Sequence, residues 1–170
     1  MTASPAPAVT QFQRRRIEAE ILAEVHAALC ESMPGPQAVA LVARATARAA
    51  RAAGAAFAAA APGGPGLEHF AGVVEAWRAG GALDVQDVRL DGRTLRLTVT
   101  RCAYAGLYIA EMGLSPELAQ ALSCSRDEAF ARGYSPCLRM ERSRTIAQGA
   151  PRCEFLFRWD ARVSEPTPGT

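Results

Sequence analysis

The chain has 170 residues, of which 19 are basic and 17 acidic, giving a formal net charge of +2. A chain of this length fits one domain and buries roughly 70% of the surface that it exposes when unfolded. Basic and acidic residues are scattered through the same segments, so no basic stripe is present to neutralise phosphates. Nucleic acid is therefore not an expected partner.

Lysine is absent, and all 19 basic residues are arginine. This excludes the Schiff-base lysine of pyridoxal phosphate or aldolase chemistry, and also the lysine of a phosphate-binding P-loop. His26 and His69 are the only histidines. The sequence therefore excludes a histidine-rich metal site.

The opening residues lack the apolar run of a secretory signal, and arginines interrupt the alanine-rich segment 38–61. We therefore expect a cytoplasmic protein that does not enter a membrane. The sequence does not decide whether the protein forms a homo-oligomer. In that compartment cysteines are reduced, catalytic or metal-binding more often than disulfide-bonded. The cysteines are Cys30, Cys102, Cys124, Cys137 and Cys153.

Helical periodicity predicts amphipathic or alanine-rich helices over residues 13–33, 37–60 and 67–79. The hydrophobic period then changes to that of β-strands, which predicts two strands over residues 83–90 and 94–100. Between these strands, Asp91-Gly92 is typical of a type I′ hairpin turn. The first half of the chain thus predicts three helices followed by a hairpin.

In the second half, residues 103–112 are expected to be helical, and Ser115-Pro116 predicts the start of a short helix that ends at Leu122. Ser125 and Glu128 have the spacing of a capping box, which predicts a separate helix through Ala131. Residues 138–147 and 152–159 alternate as strands around a turn at residues 148–151, which predicts a second hairpin.

This order of elements predicts an α+β fold: an antiparallel sheet of about four strands, formed by both hairpins and packed on one face against helices. Neither hairpin is stable alone in water, so we expect both in the same sheet. We predict a single domain over residues 13–162, with disordered segments at residues 1–12 and 163–170.

Cys124 is the first candidate for chemistry, because the predicted helix start beside it would favour a thiolate. Asp127 falls in the first turn of that helix, where its carboxylate is placed to orient or deprotonate a water or substrate group. Two ordinary interpretations stand beside this one. Aspartate suits the helix dipole in a first turn, and free cysteine is often a small core residue.

Cys102 lies where a strand gives way to a helix, so it either reaches a cleft or is a buried cap. Cys153 shares a strand face with aromatic residues and is equally explained as a core cysteine. Alternation places Arg142 and Arg144 on an apolar strand face, where a buried guanidinium would bind a substrate carboxylate or an acidic side chain. The acidic candidates are Glu111, Glu154 and Asp127. We interpret His69 as an ordinary helical histidine that is either hydrogen-bonded within the protein or exposed to solvent.

A zinc ion held by Cys102, Cys124 and Cys153 with Asp127 or His69 is an alternative. Structural zinc sites use closely spaced cysteine pairs, and the sequence has none. We therefore expect neither a metal nor a cofactor.

Taken together, Arg101-Cys102, Met112-Gly113-Leu114, Glu117-Leu118 and the run from Leu122 to Asp127 resemble the L-2-amino-thiazoline-4-carboxylic acid hydrolase family. The stretch from Arg142 to Gly149, followed by Cys153-Glu154-Phe155, resembles the closing motifs of that family. Glu154 stands where aspartate is more usual. The resemblance implies hydrolytic opening of a small cyclic thiazoline amino acid toward cysteine, through a carbamoyl intermediate.

On this basis we expect Cys124, Asp127 and Cys102 to be catalytic, and Arg142, Thr145 and Cys153 to bind substrate. Arg142 would hold the substrate carboxylate, while Cys124 would attack as a thiolate or position water together with Asp127. The glycine turn and Cys153-Glu154-Phe155 also resemble ligand-binding domains of the vinyl-reductase type. A non-catalytic module for a small ligand is therefore the alternative function.

Overall fold

The computed structural model describes residues 9–161, and residues 1–8 and 162–170 lie outside it. The disorder predicted for residues 1–12 and 163–170 falls mainly on these undescribed ends. The first helix, α1, spans Gln11–Cys30, so it begins before the predicted residue 13. It does so because Thr10 caps it: the Thr10 side chain accepts from the Gln13 amide, and the Gln13 side chain accepts from the Thr10 amide.

Helix α2 spans Gly35–Ala59, and the predicted third helix is divided into α3, Leu67–Ala71, and α4, Val73–Arg78. A 3₁₀ turn, Ala79–Gly81, leads to strands β1, Leu83–Asp91, and β2, Thr94–Cys102. The hairpin is present, but its loop residues are Gly92 and Arg93. Only Gly92 has positive φ, at 32°, so the turn is not type I′.

After β2 the chain forms α5, Ala103–Ala105, and a π-helical turn, Gly106–Glu111. Next come α6, Pro116–Ala119, a second π-helical turn, Gln120–Cys124, and α7, Ser125–Tyr134. Ser115 caps α6 as expected, since its side chain accepts from the Leu118 amide. The predicted break at Ser125 was wrong. Ser125 has helical φ and ψ, and helical structure continues from Pro116 to Tyr134.

The second hairpin consists of β3, Leu138–Glu141, and β4, Cys153–Trp159. Strand β3 ends earlier than predicted, and Ile146–Gln148 forms a 3₁₀ turn instead of strand. Thr145 caps that turn reciprocally with Gln148, which removes these backbone groups from the strand ladder. Arg142 and Arg144 therefore lie in the connection between the two strands.

All four strands belong to one antiparallel sheet in the order β1-β2-β4-β3. This confirms the predicted α+β class and the pairing of both hairpins in one sheet. Residues Leu95 and Leu97 of β2 and Phe155 and Phe157 of β4 are buried on one face, where helices cover the sheet. Opposite residues such as Glu154 are exposed.

Close contact between α2 and α7 fixes the position of the helix that follows Cys124. A Cβ at Gly54 would lie 2.1 Å from the Phe130 carbonyl oxygen, and one at Gly133 would lie 2.1 Å from the Arg51 carbonyl oxygen. Only glycine allows backbones to approach so closely. The packing therefore holds α7 directly against α2.

None of the helices within residues 9–161 has the combined length and apolar character needed to cross a membrane.

Candidate functional site

A cavity of about 470 Å³ lies between the N-terminal helices and the covered face of the sheet. It brings residues of α1 and α2 together with residues of the second half of the chain. The predicted site residues that line it are Cys102, Cys124, Asp127, Arg142 and Cys153. The sequence-based grouping of these side chains therefore corresponds to a shared cavity.

The alanine-rich helix α2 leaves room for this cavity. Ala49, Ala50 and Ala53 face it, where larger side chains would fill the space. The remaining apolar wall combines aromatic and aliphatic residues from several elements. These residues are Phe57, Val73, Ala76, Trp77, Leu83, Val99, Phe130 and Phe155.

A buried ion pair joins Asp127 of α7 to Arg142, which follows β3. Arg142 Nη1 lies 2.5 Å from Asp127 Oδ2, and the two side chains are 8% and 25% exposed. Arg142 Nη2 donates to the Cys124 carbonyl at 2.8 Å, and the guanidinium lies 4.8 Å from the centre of the Phe155 ring. Arg142 therefore ties the loop after β3 to the turn that carries Cys124 and Asp127.

The Arg142 guanidinium also has a donor without a partner. Its Nε is buried and has no hydrogen-bond partner among the described residues. Of the acidic partners proposed from sequence, Asp127 is the one that binds Arg142, whereas Arg144 is exposed.

Asp127 has one carboxylate oxygen engaged and one available. Arg142 binds Oδ2, and no residue in the described chain donates a hydrogen bond to Oδ1. Burial raises the pKa of Asp127, although Arg142, Arg126 and Arg15 each act to lower it. For Arg142, burial acts to lower the pKa, but the Asp127 carboxylate outweighs it and the pKa of the guanidinium is raised. The Asp127 carboxylate is therefore more basic than an exposed one.

Cys124 is not at a free helix start. It has φ −63° and ψ −34° and lies at the end of the π-helical turn that runs into α7. Burial, followed by the Asp127 charge, raises the pKa of the Cys124 thiol to about 12. The expected thiolate, stabilised by unpaired helix amides, was therefore wrong for the resting site, because these amides belong to a continuous helix. The prediction failed because the spacing Ser-x-x-Glu also occurs inside helices.

The other two cavity cysteines are also protonated. Cys102 is half-buried at the end of β2, and burial raises its pKa while the amides of Ala105 and Tyr104 oppose the change. Cys153 is buried on β4, and its sulfur accepts from the Ile146 amide at 3.2 Å. Burial raises the pKa of Cys153 as well.

Thr145, which was expected to bind substrate, does not line the cavity. It is buried, and its hydroxyl donates to the Gln148 side chain and accepts from the Gln148 amide. Its side chain also acts to lower the pKa of the Cys124 thiol, against the larger effect of burial. His69 lies elsewhere in the core. Its Nδ1 is 2.9 Å from the Tyr134 hydroxyl, which matches the interpretation of a satisfied helical histidine.

The sequence did not indicate the charged residues that α1 contributes. Arg14, Arg15 and Glu18 line the cavity together with Arg126 of α7. Arg15 and Arg126 both bind Glu18, with Arg126 Nη1 3.6 Å from Glu18 Oε2. Helical spacing places Arg15 and Glu18 on one side of α1, but nothing in the sequence says that this side faces the cysteines.

Within residues 9–161 no group of three or more His, Cys, Asp or Glu side chains is arranged to hold a metal ion.

The structure thus defines an α+β protein with a cavity, walled by cysteines and a buried ion pair, between its sheet and its helices. The model of the L-2-amino-thiazoline-4-carboxylic acid hydrolase family matches residues 14–157, and the chain belongs to this family. The match extends well beyond the motifs of the second half and includes α1 and α2. Comparison with curated proteins finds no significant match.

Among solved structures, the fold is similar to the phenol-responsive sensory domain of the transcription activator PoxR, determined with phenol. The TM-score is 0.54 at 12% sequence identity, and the similarity covers 83% of this chain and 73% of that one. At this identity the likeness shows a shared fold.

Proposed function

We propose that the chain is a hydrolase that opens a small cyclic thiazoline amino acid in this cavity. The observation that supports this most is the Asp127 carboxylate: Arg142 fixes it through Oδ2, its Oδ1 accepts no hydrogen bond within residues 9–161, and the residue lines the cavity. Membership of the hydrolase family supports the reaction class. General-base assistance of this kind typically contributes about 10²- to 10⁴-fold in rate.

Water is the attacking group in this proposal. Asp127 accepts a proton from water, whose oxygen bonds to the amidine carbon of the ring while the C=N electron pair moves onto the ring nitrogen. That pair re-forms the C=N bond as the carbon–sulfur bond breaks, and Asp127 returns the proton to the departing sulfur. The remaining hydroxyl proton moves to the ring nitrogen, which leaves a carbonyl. The product is a carbamoyl amino acid with a free thiol. The raised pKa of Asp127 suits this role, because a more basic carboxylate is a better proton acceptor.

Cys124, Cys102 and Cys153 line the cavity beside the reacting ring. Direct attack by Cys124 is the alternative route, and it would require Asp127 to take the thiol proton first, since the pKa of that thiol is about 12. A folded Cys124→Ser variant separates the two routes. The water route predicts retained turnover, and the thiol route predicts its loss.

The hydrolase proposal is tested by supplying 2-amino-thiazoline-4-carboxylic acid to the purified protein and following thiol release with a chromogenic disulfide. We expect catalytic, multiple-turnover release of thiol. Binding of the compound without any turnover would overturn the proposal. Protein heated past its unfolding transition is the matched control for uncatalysed ring opening.

A non-catalytic binding module is the second candidate, favoured by the apolar wall that includes Phe57, Trp77 and Phe155. Its fold is shared with a sensory domain that responds to phenol. In this case small cyclic compounds would bind without conversion, and Asp127→Asn would change affinity only.

A further inference from the structure

We infer that the cavity has a dedicated site for a small carboxylate, formed by Arg126 with Arg15 at the α1 side, and that Arg142 does not bind this group. The inference rests on the proposed function in taking a small acid as the occupant. It adds which residues recognise the acid group, and it differs from the role expected for Arg142 from sequence.

Arg142 is already committed to two acceptors of the protein. Nη1 binds Asp127 and Nη2 binds the Cys124 carbonyl, while Nε is buried without a partner. A substrate carboxylate at this point would compete with Asp127 for the guanidinium. It would also lie beside the carboxylate that the proposed reaction needs, where two like charges repel.

The Arg126 guanidinium has few acceptors within the protein. Its side chain is 12% exposed and lines the cavity, and its partner among the described residues is Glu18 at 3.6 Å. No hydrogen bond from its guanidinium is formed within residues 9–161. A guanidinium has five N–H donors in a fixed fork, and Arg126 uses none of them in a hydrogen bond to the described protein. A bidentate carboxylate supplies the missing acceptors.

The side chains that line the cavity carry an excess of positive charge. Four arginines line the cavity, namely Arg14, Arg15, Arg126 and Arg142, against the two carboxylates Glu18 and Asp127. The Asp127–Arg142 pair is balanced, so the excess of two positive charges lies at the α1 side. Glu18 is shared between Arg15 and Arg126. A ligand carrying one negative charge reduces this excess.

Arg15 is already held in place. With its amide oxygen turned toward the guanidinium, Gln11 accepts from Arg15 Nε at 3.1 Å and from Nη2 at 2.9 Å. Arg15 also pairs with Glu18. Arg15 therefore contributes a fixed charge, while Arg126 contributes free donors. Burial, and then repulsion by the nearby Arg15, lower the pKa of Arg126, and a bound anion would offset both effects.

This placement also orients the ligand. Arg126 and Asp127 line the same cavity. A small ring whose carboxylate binds Arg126 would therefore share that space with the Asp127 side chain. The specificity expected is for small cyclic acids over their neutral amides.

The test measures binding by calorimetry with 2-aminothiazole-4-carboxylate, an aromatic acid that resists hydrolysis, and with its neutral carboxamide. We expect wild-type protein to prefer the acid. Arg126→Gln should weaken acid binding by about 10-fold or more, the scale of a charge-assisted hydrogen bond, and change amide binding by less than about threefold. Arg132→Gln is the matched control, because Arg132 is an exposed arginine on α7 outside the cavity.

An unchanged preference for the acid in Arg126→Gln would overturn the inference, as would a wild-type protein that binds both probes equally. If Arg126→Gln does not fold, Arg126→Lys, which keeps a charge beside Glu18, is used to compare binding of the acid and the amide. This variant should still lose part of the preference for the acid, because a point charge cannot replace a bidentate fork. Since the readout is binding, an absence of turnover would count against the hydrolase proposal and not against this site.

Discussion

Arg142 Nη1 lies 2.5 Å from Asp127 Oδ2, and this contact joins the loop after β3 to the first turn of α7. The same guanidinium reaches the Cys124 carbonyl at 2.8 Å. One arginine therefore fixes both the carboxylate and the backbone beside the cavity thiol.

The Asp127–Arg142 pair should contribute strongly to stability. Removing one partner of a buried pair leaves an unpaired charge, which costs about 3–5 kcal/mol. We expect Asp127→Asn and Arg142→Met each to lower the free energy of unfolding on this scale. The double variant should lose less than the sum of the single losses. Denaturant titrations of the four proteins measure this cycle.

The exposed pair between Arg158 and Glu141 is the matched control. Its atoms are 2.9 Å apart, but its side chains are 49% and 60% exposed. Its coupling should be about 0–1 kcal/mol. Equal coupling in the two cycles would contradict a special role for the cavity pair.

The Cys124 thiol should resist alkylation near neutral pH. With a pKa of about 12, roughly one molecule in 10⁵ carries a thiolate at pH 7. Its rate with iodoacetamide should rise about tenfold per pH unit while the fold persists. Cys30, exposed on α1, is the internal comparison.

Mass spectrometry after proteolytic cleavage at glutamate measures the alkylation of each cysteine separately. Glu111 and Glu117 separate Cys102 from Cys124, so the two lie on different peptides. If Cys124 reacted as fast as Cys30 at pH 7, the burial argument would fail and a resting thiolate would return as the nucleophile.

The stability of the fold should decline in alkali. The pKa of Cys124 rises from an ordinary 9.0 to about 12 on folding, and burial raises those of Cys102 and Cys153 as well. Above pH 9 the unfolded chain has lost these protons while the folded chain retains them, so the free energy of unfolding falls with pH. The contribution of Cys124 is complete below about pH 9 and is lost by about pH 12.

Thermal melts between about pH 8 and about pH 11 should show this decline, and it should be shallower in Cys124→Ser, which removes one such proton. A Cys124→Ser protein with the same pH dependence as wild type would show that this thiol ionises normally.

Replacing Gly54 with alanine should destabilise the protein, although alanine in a helix interior is usually about 1 kcal/mol better than glycine. The new Cβ would lie 2.1 Å from the Phe130 carbonyl oxygen, so α2 and α7 must separate. We expect a loss of about 1–3 kcal/mol or more. Gly63→Ala is the control, because nothing lies within 4 Å of its Cβ position. A Gly54→Ala variant with the same free energy of unfolding as wild type would mean that α7 shifts away from α2 without destabilising the protein.

The sequence predicted the class of fold and the order of its elements because hydrophobic period and turn residues are local signals. Of the site residues that the family motifs suggested, Cys102, Cys124, Asp127, Arg142 and Cys153 line the cavity, whereas Thr145 does not. The sequence could not predict the protonation of Cys124. That depends on the π-helical turn, which makes α6 and α7 continuous, and on burial by other elements.

The part played by α1 was also beyond the sequence. Arg15 and Glu18 have the spacing of any exposed helical ion pair, and only tertiary packing brings them to Arg126. Likewise, the alanines of α2 indicate a helix, but only the structure shows that Ala49, Ala50 and Ala53 leave space for a ligand.

The most direct test of the account is the turnover of 2-amino-thiazoline-4-carboxylic acid by Asp127→Asn, compared with Glu128→Gln. Glu128 is the next residue on α7, but it is exposed and does not line the cavity. If Asp127 is the base, its replacement should lower kcat by about 10²- to 10⁴-fold, while Glu128→Gln retains wild-type kcat. A folded Asp127→Asn protein with near wild-type kcat would contradict the proposed site.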